Sequence, residues 1–265
     1  MHELGHGYVF KTRWLNAVFL RVVSFLGWLH PDMFFSSHLR HHRYTQNAPL
    51  DQENPMPIRI TVWDFLGFGF INIKGACEII TQAVRAALGI YPTGHLGWTP
   101  GWEVVCYPPL LPGARAPAQR WALAMLLGHV SVAVATWLYG WPPLLPVLLS
   151  FGPFFNGWLF FLCNATQHVG LHPGVADFRL NTRSFELHPA IAFLYWHMQN
   201  HTEHHMFPVV PCYNLRALHE AIKHDLPPRP KGIIEVWRVI TECLRQEAAD
   251  PKWRAPIQLP KAKKV

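Results

Sequence analysis

Apolar residues fall along this 265-residue chain in four long blocks. Two of them, Trp121–Tyr139 and Leu144–Cys163, contain no charged residue. Each holds about 20 residues, enough for a helix rising ~1.5 Å per residue to cross a hydrocarbon core of ~30 Å. They are joined by the short, uncharged link Gly140-Trp141-Pro142-Pro143, which predicts a tight transmembrane hairpin. The other two blocks carry charges: Arg21 within Trp14–Leu29, and Lys74 and Glu78 within Trp63–Ile80. Both are expected as helices lying in the membrane interface with their charges aimed at headgroups. Asn47–Arg59, with Pro49, Pro55 and Pro57, reads as an extended loop, and Gly94–Arg120 as a Pro/Gly-rich connector. From Tyr213 onward the chain is polar, and its helical periodicity predicts amphipathic helices near Leu215–His224 and Ile233–Glu247. The expected fold class is all-α.

Composition sharpens this picture. Half the residues are apolar and 15% are charged, a balance too apolar for an ordinary soluble enzyme and too charged for a bare bundle of spans. It fits an integral membrane protein with a polar cap. The net charge of +7 derives largely from Lys and Arg between Arg216 and Lys264. Beside membrane-like segments, such residues are explained by the positive-inside rule and anionic headgroups, without nucleic acid as a partner. Basic residues flank the hairpin and are absent from its tip, so the tip is expected outside and both ends in the cytoplasm. The cysteines (Cys77, Cys106, Cys163, Cys212, Cys243) include no C-x-x-C pair, which argues against a disulfide framework or zinc ribbon. No secretory signal peptide is visible.

The anomaly is 17 histidines. Nine of them fall in four clusters: His2-Glu3-Leu4-Gly5-His6, His38-Leu39-Arg40-His41-His42, Asn164-Ala165-Thr166-Gln167-His168 and His201-Thr202-Glu203-His204-His205. Helical residues three or four apart share a face, so each H-x-x-H-H or H-x-x-x-H box aims two or three imidazoles at one point. Neutral imidazole ligates iron, copper, zinc or nickel. Nine clustered imidazoles exceed the four to six positions usual around one ion, which implies two metals. Topology agrees. Two spans and a turn do not fit within Gly7–Ser37, and a single span there would separate the first two boxes across the membrane. That stretch is therefore interfacial, and the later hairpin returns His168 to the same side.

The order HELGH, HLRHH, HTEHH, with an apolar hairpin between the second and third boxes, resembles the integral-membrane fatty acid desaturases and their hydroxylase relatives. The resemblance runs from His2 to about Leu215. It implies two iron ions held by His2, His6, His38, His41, His42, His168, His201, His204 and His205, with Asn164, one helical turn before His168, holding a metal-bound water. It further implies an O2-dependent oxidoreductase that introduces a double bond into a fatty acid or acyl lipid. The architecture implied is a single domain over 1–265: boxes one and two with interfacial helices (1–118), the transmembrane hairpin (119–166), and a cytoplasmic di-iron cap with the third box and basic tail (167–265). The active site faces the cytoplasm, at a bacterial inner membrane or the endoplasmic reticulum. No redox domain is recognisable, so electrons are expected from a separate ferredoxin or cytochrome b5 type donor. The third box opens with His201 where the front-end desaturases carry Gln. In the family a transmembrane pair precedes the first box, whereas here Met1 directly precedes His2, so the chain reads as lacking that pair.

Two further readings stay open. The same ligand boxes serve hydroxylases and ketolases. His2-Glu3-Leu4-Gly5-His6 is also H-E-x-x-H, the helical signature of zinc metalloproteases. The remaining histidines (His30, His95, His129, His172, His188, His197, His219, His224) are expected to be structural, with His197 placed to support a ligand. His172-Pro173-Gly174 reads as a turn, and Glu3 and Glu203 are expected either to brace a ligand or to be plainly solvated or salt-bridged.

Overall fold

The computed structural model describes residues 1–47, 50, 51, 53, 62–91, 113, 115–155 and 157–260. It is almost wholly helical, and among the described residues the only extended pairings are isolated bridges, Ile71 with Phe155 and Glu186 with Lys231. The helices are α1 (His2–His6), α2 (Arg13–Leu26), α3 (Pro31–Tyr44), α4 (Val62–Gly69), α5 (Ile73–Ala87), α6 (Arg115–Tyr139), α7 (Leu144–Phe151), α8 (Trp158–Asn164), α9 (Phe178–Asn181), α10 (Pro189–Leu194), α11 (His201–Met206), α12 (Leu215–Ile222) and α13 (Gly232–Ala249). The extended loop expected over Asn47–Arg59 and the Gly94–Arg120 connector lie mostly outside the described residues, as do His95 and Cys106. The chain forms two compact units. One comprises Met1–Gly5, Thr12–Leu39 and Thr61–Trp158; the other comprises His6–Lys11, Arg40–Ile60 and Leu159–Val265.

In the first unit, α5 packs along α6 through small residues, Ala83 and Ala86 against Ala118 and Ala122, with Trp28, Met33, Met125 and Phe154 completing the core. Spacings of three and four put each alanine pair on one stripe, so the two backbones approach closely. Gly128 of α6 does the same for α2, since a Cβ there would lie 2.6 Å from the Phe25 ring. Beside it His129 is stacked between Phe25 (4.2 Å) and Trp28 (4.0 Å). Its Nδ1 meets the Ser150 hydroxyl at 2.9 Å and its Nε2 the Phe25 carbonyl at 3.2 Å. The Trp28 indole donates to the Ser150 carbonyl. His129 is thus structural, as expected.

α6 has 25 residues, about 37 Å of helix at ~1.5 Å per residue, and only 22% of its most apolar window is buried by protein. Leu127, Val130, Trp137 and Leu138 stand exposed along it. The second apolar block does not form one helix. α7 ends at Phe151, a 3₁₀ turn covers Gly152–Phe154, and α8 starts at Trp158. Pro153 occupies the start of that turn, where its missing N–H and its ring prevent α7 from continuing. The Asn72 amide captures the Phe154 carbonyl at 2.8 Å, holding the break. The expected hairpin therefore has one full-length arm and one broken arm. The block over Trp63–Ile80 is likewise split, because Asn72 caps α5 by accepting from the Gly75 amide. α2, at 14 residues, is about 21 Å long and turns into α3 at 100°. Alone it is shorter than a ~30 Å hydrocarbon core; the bent pair α2–α3 together is long and apolar enough for a broken span or a re-entrant loop.

The second unit is built on α13, whose Val236, Ile240 and Cys243 are buried at helical spacing against Cys163, Val169, Phe185, Tyr195, Met198 and Leu215. The Trp237 indole ties α13 to the Leu162 carbonyl at 2.9 Å. Gly170 (φ 69°) presses so closely on α13 that a Cβ would sit 2.5 Å from the Cys243 Cβ. The His172 Nε2 bonds the Ala255 carbonyl at 2.7 Å, and His172-Pro173-Gly174 is a turn, as read. Both amphipathic helices form close to their expected limits, as α12 and α13.

Candidate metal centre

The histidines of boxes two and three reach the site on short helices. α3 carries His38, His41 and His42 in its last two turns, and α11 carries His201, His204 and His205. Chain direction into α11 is set by Trp196 and His197, both with left-handed backbone (φ 56° and 55°). His168 lies elsewhere than expected, because α8 stops at Asn164 and the chain continues as turns through Gly170. Asn164 and His168 are therefore not one turn apart on a helix.

Within the second unit these residues assemble into two groups. His41, His168, His201 and His205 are all buried, with ligand nitrogens within 4.8 Å of one another. The His201 Nε2 lies 2.9 Å from that of His168 and 3.0 Å from that of His205. Separations of about 3 Å match the edge of a coordination shell with metal–nitrogen bonds of about 2.1 Å. His6, His42 and His204 form the other group, with ring centroids 4.8 Å apart pairwise and the Nε2 atoms of His42 and His204 3.2 Å apart. In the first unit His2 and His38 pair edge-on at 4.2 Å, with Phe34 stacked on His38.

The outer nitrogens of three members of the four-histidine group are engaged away from its centre. His41 Nδ1 bonds Asp51 Oδ2 at 2.9 Å, His168 Nδ1 donates to the Asn181 carbonyl at 3.0 Å, and His205 Nδ1 faces the Thr45 hydroxyl at 3.2 Å. Fixing Nδ1 in this way leaves Nε2 facing inward as the ligand atom. Burial, and then the charge of His41, push His168 down to about 3. Burial, and then the surrounding imidazoles, hold His205 well below its ordinary range. Both are neutral bases at pH 7, the form that ligates. Burial lowers His41 as well, but the hydrogen bond and charge of Asp51 outweigh it and hold the ring above its ordinary value. Burial opposes ionisation of Asp51, and His41 with the amides of Gln46 and Glu53 overcomes it. In chemistry and placement this donor set fits a metal ion.

Further residues support the boxes. Asp51, ten residues past His41, has no spacing signature; only the rule that a ligating imidazole seeks an outer partner points to an acid in the adjoining loop. Glu203, fully buried inside box three, accepts from the His219 Nδ1–H and the Ser184 hydroxyl. The Ser184 oxygen in turn accepts from the Thr202 amide at 3.0 Å. Glu203 is thus neither solvated nor bonded to a ligand in these contacts; it is buried and paired with His219. Arg183 is buried and donates to the Thr166 and Val169 carbonyls on either side of His168. Burial lowers its guanidinium only to about 10, so it stays charged.

A buried group of four imidazoles and a group of three, with His6 half-buried, define a helical protein whose histidine clusters are able to hold metal. The fatty acid desaturase family model matches residues 1–237, so the chain belongs to the fatty acid desaturase family, an iron-using family of oxidoreductases acting on fatty acids. The chain is a desaturase-like fatty acid oxidoreductase. The matched residues include the HELGH helix. No curated protein and no solved structure matches the chain.

Proposed function

We propose that this chain is an O2-dependent desaturase that binds two irons and introduces a double bond into the acyl chain of a fatty acid or lipid. The observation that carries the reading is the convergence of seven imidazoles from three separate stretches of chain into two groups within one compact unit. One iron belongs to His41, His168, His201 and His205. The other belongs to His6, His42 and His204. His2 and His38 are the further residues we assign to iron: α1 carries His2 one turn from His6, and α3 carries His38 one turn from His42. Asn164 is the residue we assign to a metal-bound water, and the whole chain is read as one desaturase-like domain.

When bound, two irons would supply the chemistry for four-electron reduction of O2 to two waters, two electrons coming from the donor and two, with two neighbouring hydrogens, from an unactivated hydrocarbon that becomes an alkene. The protein's own part is positional. Asp51, Asn181 and Thr45 fix which imidazole nitrogen faces inward, Arg183 holds the His168 turns, and Glu203 anchors α11. Desaturation and not hydroxylation is the outcome assigned, and the products distinguish them. The exposed apolar surface of α6 is read as a lipid-facing span in a bilayer whose cytoplasmic side carries the active site. The exposed bases Arg216, Lys223, Arg238, Arg245, Lys252 and Arg254 suit an acidic ferredoxin or cytochrome b5 type donor.

The test is expression of the full chain in membranes, with iron quantification and mass-spectrometric lipid profiling against His204→Ala. About two irons per chain and an unsaturated product absent from the variant are expected. A lone zinc, or identical lipids in both strains, would sink the proposal.

A further inference from the structure

Gln46 lies just beyond box two and is no part of any histidine motif. Its backbone is left-handed (φ 58°), a conformation that side chains other than Gly, Asn and Asp seldom adopt. Held there, it reaches in two directions. Its backbone N–H donates to Asp51 Oδ2 at 2.8 Å, the same oxygen that meets His41 Nδ1. Its side-chain amide donates to the His168 carbonyl at 2.6 Å and to the Asn181 carbonyl at 2.9 Å. That second carbonyl is the one that receives His168 Nδ1.

Gln46 therefore shares one oxygen with the imidazole of His41 and another with that of His168. These two histidines come from segments far apart in sequence, yet both belong to the four-histidine group. Both amide N–H groups of the side chain are engaged, and an unfavourable backbone state is retained where a glycine would relieve it. Strain kept by its surroundings in this way concentrates at functional sites.

We propose that Gln46 is a positioning residue that fixes the separation and orientation of His41 and His168, and so governs metal affinity in the four-histidine set and not in the set containing His6, His42 and His204. The proposal rests on the two-iron reading above. Outer partners of ligating histidines are worth about 10–100-fold in metal affinity.

The experiment uses the full chain in detergent or nanodiscs, with iron counted per chain and extracted by graded chelator. Gln46→Met keeps the side-chain length and removes the two side-chain donors, leaving the backbone N–H to Asp51. Gln46→Gly relaxes the backbone and removes the same side-chain donors. Wild type is expected to hold two irons. In both variants one iron should leave at about 10–100-fold lower chelator concentration, while the other leaves as in wild type. Should Gln46→Gly hold both irons like wild type, the residue serves only the turn, and the proposal fails. Equal weakening of both irons in the two variants also overturns it, since that is a general loss of structure. A wild-type chain that binds other than two irons refutes the two-iron reading itself, before any variant is compared.

Discussion

At the residue scale the site depends on side chains that never touch a metal. Glu203 is buried between ligands and satisfied by His219 and Ser184. Removing one partner leaves a carboxylate oxygen unsatisfied in the interior, which costs about 1–3 kcal/mol. His219→Ala should destabilise the protein by that amount in denaturant unfolding of the metal-free chain, whereas substitution of the exposed His224 should leave it unchanged. Arg183→Met should act more locally. It strips donors from the Thr166 and Val169 carbonyls, loosening the turns that carry His168. Amide hydrogen exchange is expected to rise over 165–170 and not over α11, and iron content should fall. The eight histidines of the three boxes stood out in the sequence because box spacing is a one-dimensional signal for a shared helix face. Asp51, Gln46 and His219 did not, because no period links them to their partners.

At the element scale, apolar length and periodicity forecast α6, α12 and α13 well, because each is a single helix with one dominant environment. The same reasoning overran the chain at Gly152-Pro153 and at Asn72. There, local chemistry (a proline without its N–H, an asparagine that caps) outranks hydrophobicity. The placement of His168 on a helix failed for a related reason. α8 ends at Asn164, and the following turns are held by Arg183 and Gln46, whose reach no local pattern reveals. Helix contacts also define where bulk is forbidden. Gly128→Val puts a branched side chain where Phe25 already stands, and overpacking of this kind typically costs about 1–3 kcal/mol. Thermal unfolding in detergent should register the loss, and adding Phe25→Leu should recover part of it.

For the molecule as a whole, the helical class and the desaturase family were legible, while the division into two compact units was not, since neither composition nor a linker marks it. The bilayer reading makes its own prediction here. With 22% of its most apolar window covered by protein, α6 leaves the rest to its surroundings. Replacing Leu127 or Val130 by Arg should hinder insertion by about 2.5–3.5 kcal/mol near the membrane centre. Fractionation with carbonate extraction reads this as a shift of the variant out of the membrane pellet.

The close approach of Gly170 to Cys243 has a practical corollary. Matched family residues stop at 237, yet the turns bearing His168 rest on a helix that continues past that point, and His172 is moored to Ala255. A chain trimmed to the family boundary would keep every imidazole and forfeit the floor beneath one of them. Whoever designs a minimal active fragment should end it beyond Ala255.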